Sequence, residues 1–212
     1  MTTPEIHVRP DWMAATGTET VEPPPHLFVF GEGPDALALV TLARTLGWTV
    51  TVVQARARFE NLARFVTADH VRTGPPVRIA GQIEAADCPL AVVMTHDVGH
   101  DREALAMLLA SRARYIGLVG PRHRAEDVLA SLERAAPSLR GPIDRGQVHA
   151  PAGLAIGAET PAEIALAILA EAKAVLTGGR AAYRGDRSGD GRPPEISAAI
   201  EPLVEPQLAL GA

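Results

Sequence analysis

The residues of this chain that can do chemistry gather in three short stretches. The first is Gly31-Glu32-Gly33-Pro34-Asp35-Ala36, a G-x-G-x-x-A string. Two closely spaced glycines suit a tight turn: Gly31 permits it, Gly33 lets a phosphate approach the backbone, and Ala36 is small enough for a helix to pack on a strand. The second is Thr95-His96-Asp97-Val98-Gly99-His100-Asp101, which holds two His-Asp pairs. Histidine titrates near neutrality and, beside carboxylates, can move protons, contact a ligand or join a metal site. Zinc needs three or four converging ligands, so no metal site is assigned, and Asp101 is read as a natural N-cap for the next helix. The third is Gly120-Pro121-Arg122-His123-Arg124, whose arginines can neutralise a phosphate or simply face solvent.

Each stretch follows an apolar, β-prone run, and each run must be a strand if the loops are to be held. His26 to Phe30 reads as a buried strand, and the helical run Leu37 to Leu46 follows its glycine turn. The helix N-terminus then offers free N–H groups and a positive dipole end to an anion. Phosphate binding and a purely structural strand–helix turn are both open readings. Pro34 removes one N–H but is tolerated in a first helical turn. The second strand, Thr49 to Val53, runs into Gln54, where a dinucleotide site wants Asp or Glu for the ribose hydroxyls. Gln54 can still hydrogen-bond, and Arg56 or Arg58 can meet a phosphate, but NAD(P) binding is expected to be weak.

Further along, Arg58 to Phe65 suggests a short helical turn, His70 to Thr73 a third strand, and Leu90 to Met94 a fourth, with Val77 to Ala86 ambiguous. A helix over Arg102 to Ser111, a strand over Tyr115 to Val119 and a helix from the Arg122 loop to about Ala135 come next. A longer loop, Pro137 to Ala155, precedes a last helix over Ile164 to Leu176. Thr160, Pro161 and Glu163 form a capping box at its start, and Gly178-Gly179 ends it. Alternating strands and helices predict an α/β fold with a doubly wound, mostly parallel sheet. In such a sheet ligands bind outside the carboxyl ends of the strands, where all three stretches fall. The expected organisation is a flexible segment over 1–25, one domain over 26–178 and a flexible tail over 179–212.

Composition narrows the function classes. Charged residues make up 21% and the net charge is −5, which gives no support for nucleic-acid binding, since that usually needs a basic face. Lys173 is the only lysine, which argues against a lysine Schiff base or a P-loop lysine. Cys88 is the only cysteine, so an internal disulfide and a cysteine metal cluster are excluded; it reads as a structural, half-buried thiol. No run of about 18 apolar residues and no N-terminal apolar core appears, so membrane spanning and secretion are not expected and the cytoplasm is the default.

Taken together, the motifs resemble the Rossmann domain of the xanthine dehydrogenase accessory (XdhC/CoxI) family. The resemblance runs from about His26 to Gly178. It rests on Gly31-Glu32-Gly33, on Val92 to Asp97 with Asp101 beyond, on Arg114 to Gly120 with Arg122, and above all on His149 to Ala165 continuing to Ala170-Glu171. It implies binding of molybdenum cofactor, a phosphorylated, molybdenum-bearing pterin, and its delivery to a xanthine dehydrogenase-type molybdoenzyme. It also implies a possible link to a cysteine desulfurase, and a homodimer is expected. Family members commonly carry His, acid and Ser where this chain has Pro34, Gln54 and Pro121. The usual N-terminal domain is not in this sequence, so a separate chain supplying it or an altered role are both open.

The expected cofactor-contacting set is Gly31, Gly33, Pro34, Gln54, Thr95, His96, Asp97, Gly120 and Arg122, with no catalytic residue assigned. The favoured reading is a cofactor chaperone rather than an enzyme. The alternatives are a small NAD(P)-dependent oxidoreductase and a degenerate Rossmann scaffold that only binds protein partners.

Overall fold

A computed structural model describes residues 23–55, 63–135 and 147–178. The expected flexible segments, the turn beginning at Arg58 and the Arg56 and Arg58 side chains lie wholly or largely outside them. Six parallel strands form one sheet: β1 (His26–Phe30), β2 (Thr49–Gln54), β3 (His70–Thr73), β4 (Pro89–Val93), β5 (Tyr115–Leu118) and β6 (Val148–His149). Their spatial order is β3-β2-β1-β4-β5-β6. The order reverses between β1 and β4, and the loops leaving those two strands open a crevice at the sheet's carboxyl edge.

Five α-helices cover the sheet among the described residues: α1 (Pro34–Thr45), α2 (Ala80–Ala85), α3 (Val98–Leu109), α4 (Arg122–Ala135) and α5 (Pro161–Thr177). Both faces are covered, so the central strands are apolar throughout rather than alternating. Leu27 and Val29 face α1 and α5, while Phe28 and Phe30 face α2, α3 and α4, and all four are at most 1% exposed. Burying such a side chain contributes about 1.5–3 kcal/mol, so β1 alone anchors both halves of the core. Cys88 is buried at the start of β4, more deeply than expected, with the Arg114 guanidinium 3.6 Å from its sulfur.

The parallel, doubly wound sheet is as the sequence predicts, and so is the start of α5. There the Thr160 hydroxyl accepts from Glu163 N–H while the Glu163 carboxylate accepts from Thr160 N–H at 2.8 Å, and Gly178 closes the helix at φ 61°. Two differences have local causes. The ambiguous stretch after β3 is a 3-10 turn (Pro76–Ile79) leading into α2. β6 lies inside the stretch read as a loop; it has only two residues, too few for a periodic signal, and exists because Ile116 and Gly117 pair with it. Among the described residues no helix is long and apolar enough to cross a membrane.

Candidate functional site

The site is built where β1, β2 and β4 end side by side. Gly31 follows β1, and a Cβ there would lie 2.7 Å from both Cγ and the carbonyl oxygen of Met94. Glycine is needed at this point because the chain leaving β4 passes against it, a reason different from the turn that the spacing suggests. Gly33 is the N-cap of α1 and has no side-chain partner for the helix's first N–H groups; Pro34 occupies the first turn. An uncapped N-terminus leaves backbone donors free for an acceptor. The nearest atom to a Cβ built on Gly33 is His96 Nε2, at 3.8 Å. His96 itself has φ 60°, a left-handed conformation that is costly for a side chain with a Cβ. That turn carries the imidazole of the β4 loop to the glycine turn of the β1 loop.

A cleft of about 300 Å³ runs along this edge, walled by Gly31, Gln54, Thr95, Asp97 and His100 among others. A second, mostly apolar compartment of about 190 Å³ lies toward α3 and shares Val53, Ala55, Thr95 and His100 with it. The two are therefore parts of one depression. Gln54 is 1% exposed, yet neither Oε1 nor Nε2 has a hydrogen-bond partner. A buried polar group left unpaired costs about 1–3 kcal/mol. An amide in that state on the wall of a cleft is suited to be paired by a ligand.

The β4 loop is fixed from below by Asp101, and here the sequence reading is corrected. Asp101 is not the cap of α3. The cap is Asp97, whose carboxylate accepts from His100 N–H at 2.8 Å, so the helix begins at Val98 instead of Arg102. That hydrogen bond, before any smaller contribution, holds the Asp97 carboxyl below the ordinary carboxylate range. Asp101 is fully buried one turn further on. It accepts from the Thr95 hydroxyl at 2.6 Å and the Thr95 N–H at 3.2 Å, and pairs with Arg124 at 2.7 Å. Periodicity alone could not separate the two acids, because either spacing suits a helix start.

Of the expected site residues, Gly31, Gln54, Thr95 and Asp97 line the cleft, and His96 and Pro34 stand at Gly33. Gly120 and Arg122 line neither compartment. Gly120, at φ 141°, makes room for Arg124, whose Cδ would sit 2.9 Å from a Cβ there. Arg124 is thus engaged with Asp101 and does not enter the cleft. His100 and Glu103, which the sequence reading did not select, do line the depression. Among the described residues no three His, Cys, Asp or Glu side chains converge as metal ligands.

A second polar cluster lies at the β5–β6 side of the sheet. Glu171, from α5, accepts the Tyr115 hydroxyl at 2.7 Å and Gly153 N–H at 2.8 Å, and His149 Nδ1 lies 3.2 Å away. The Tyr115 and His149 rings stack with centroids 4.7 Å apart. Burial, followed by the Glu171 hydrogen bond, pushes ionisation of the Tyr115 phenol far above its ordinary range, so it remains a donor. This cluster ties the segment after β6 to α5.

These elements have counterparts in known proteins. The XdhC Rossmann domain matches residues 27–172. The chain belongs to that family. A Bacillus subtilis (strain 168) protein, named as a probable xanthine dehydrogenase subunit, is 33% identical over 153 residues, covering 72% of this chain and 43% of that protein. An Escherichia coli (strain K12) protein, YqeB, named as uncharacterized, is 30% identical over 153 residues, covering 69% of this chain and 26% of its own length. The crystal structure of a xanthine dehydrogenase from Bacillus halodurans superposes with a TM-score of 0.61 at 30% identity, over 74% of this chain and 45% of that one. The chain thus spans less than half the length of each of these relatives, and its XdhC Rossmann domain carries the whole cleft.

Proposed function

We propose that this XdhC Rossmann domain holds molybdenum cofactor as cargo and assists the maturation of a xanthine dehydrogenase-type molybdoenzyme. The observation that carries the reading is the carboxyl-edge cleft, with free helix N–H groups at Gly33 and the unpartnered Gln54 amide in one wall. A phosphorylated pterin suits both: its phosphate takes the α1 N-terminus, where His96 Nε2, 3.8 Å from a Cβ built on Gly33, is the nearest side chain, and its polar groups can pair with the Gln54 amide. His96, beside Gly33, can donate or accept a hydrogen bond toward the same ligand. The residues bind and orient; no side chain is assigned a bond-making role. The names of the relatives support the enzyme class of the client.

The test is to purify the full chain from cells making molybdenum cofactor and assay bound pterin by fluorescence after oxidation. Pterin in near-stoichiometric amount is expected, and a pterin-free protein from such cells overturns the reading. The glycine turn at a topological switch point also favours a second reading, a small NAD(P)-dependent oxidoreductase. Gln54, which lacks the charge that holds ribose hydroxyls, weighs against it. Low-micromolar NAD affinity of the native protein would decide for the enzyme.

A further inference from the structure

The compartment toward α3 is walled by Phe30, Val53, Pro75, Pro76 and Ala104, and its polar side chains are Thr95, His100 and one carboxylate, Glu103. Glu103 is exposed, and among the described residues it makes no hydrogen bond or ion pair. Apolar walls on this scale suit a flat ring, since ring faces gain burial and demand no polar partners. The Thr95 hydroxyl is spent on Asp101 at 2.6 Å and His100 Nδ1 lies 3.6 Å from the Asp97 carboxylate, so the ring's edge meets Glu103 as the polar side chain without a partner among the described residues, and that group only accepts. An ionised carboxylate has two oxygens, no donor, and a spacing that takes two parallel N–H groups.

We infer that Glu103 is a specificity residue that reads the amino-lactam edge of a heterocycle seated in this compartment. Such an edge, found in guanine and in pterins, presents a ring N–H beside an exocyclic amino group, so both carboxylate oxygens are satisfied at once. Adenine presents its amino group beside a ring nitrogen lone pair, which a carboxylate repels. The inference rests on the preceding reading only in seating a heterocycle in the depression. It adds which end lies where: the phosphate at Gly33, the ring against Pro75 and Pro76, with the cleft lined by Gln54 and Thr95 between them. Gln54 cannot perform the discrimination itself, because its amide offers a donor and an acceptor and suits either edge.

The experiment is a calorimetric titration of the full chain with GDP, IDP and ADP. GDP and IDP differ only in the exocyclic amino group. In the native protein IDP should bind roughly tenfold more weakly than GDP, with ADP no better than IDP. Glu103→Gln keeps the side chain's shape at an exposed position and places an NH2 against the ring's donors. It should bring GDP down to the IDP level and leave IDP unchanged. Equal GDP and IDP affinities in the native protein, a tenfold gap that persists in Glu103→Gln, or absence of GDP binding at millimolar concentration each overturns the inference. A gap abolished by Glu103→Gln in a protein that never carries pterin sinks the cargo reading alone. Copurified pterin with a gap indifferent to Glu103→Gln sinks this one alone.

Discussion

Two polar clusters among the described residues sit on the same sheet and differ in how far their hydrogen bonds are satisfied. Around Glu171 most are made: one carboxylate takes up the Tyr115 hydroxyl and the Gly153 N–H, with His149 Nδ1 beside it, and His149 Nε2 is the buried atom left over. Around Gly33 they are left open, with an uncapped helix, a buried glutamine without partners and a histidine at φ 60°. Satisfied networks rigidify and specify a fold, whereas unsatisfied groups and strained backbone persist where something else is to be bound. The stretch most distinctive in sequence, His149 to Glu171, ties β6 and the segment after it to α5, while the plainer glycine turn borders the carboxyl-edge cleft through Gly31.

Substitutions can break or sharpen that contrast. The largest effect belongs to Asp101, the fully buried acid that ties the β4 loop to Arg124. Asp101→Ala leaves Arg124 without its partner and Thr95 without its acceptor, and should cost about 3–5 kcal/mol in urea unfolding. Because Thr95 lines the cleft, pterin retention by the surviving folded protein should fall as well. Glu171→Ala should cost about 2–4 kcal/mol through the stranded Tyr115 hydroxyl and Gly153 N–H. Its ligand binding should be unchanged once corrected for the folded fraction; a loss of affinity equal to that of Asp101→Ala would erase the distinction between the regions.

Gln54→Leu should go the other way, raising stability by about 1 kcal/mol as an unpaired amide is removed, while pterin retention drops. A destabilised Gln54→Leu protein with intact binding would place Gln54 among the architectural residues. Gly33→Val should leave the melting temperature within a few degrees, since Gly33 has φ −74° and the nearest atom to a Cβ is 3.8 Å away. It should abolish pterin retention. At Gly31, by contrast, even Ala should destabilise, through the 2.7 Å approach to Met94.

The smallest effect is the pH response of the two helix caps. Hydrogen bonds from His100 N–H to Asp97 and from Thr160 N–H to Glu163 hold both carboxyls below their ordinary 3.8 and 4.5. The unfolded chain therefore takes up these protons first, so stability rises with pH across the window. The cap contributions are present above about pH 4.5 and are lost as pH falls through the depressed values. Asp97→Asn should flatten the cleft-side share of that acid limb, and Glu163→Gln the share at α5. Urea midpoints from pH 7 to pH 3 measure both; an acid limb unchanged in either variant removes that cap from the account.

The sequence by itself determined the architecture, because its signals are local. Five-residue apolar runs, glycine turns and the Thr160–Glu163 capping box each report on neighbours within a turn or a strand, and together they specify a parallel sheet with its loops on one edge. It also placed Gly33, Gln54, Thr95 and His96 at that edge. What it could not determine depends on contacts between distant residues. Asp97 and Asp101 are equivalent as helix starts until Arg124, 23 residues on, claims one of them. Glu171 looks like any exposed helical acid until Tyr115, 56 residues away, donates to it. β6 is too short to announce itself and exists only as a partner of β5. The tertiary structure decided these points, since whether a polar group ends up satisfied is settled by which far part of the chain is packed against it.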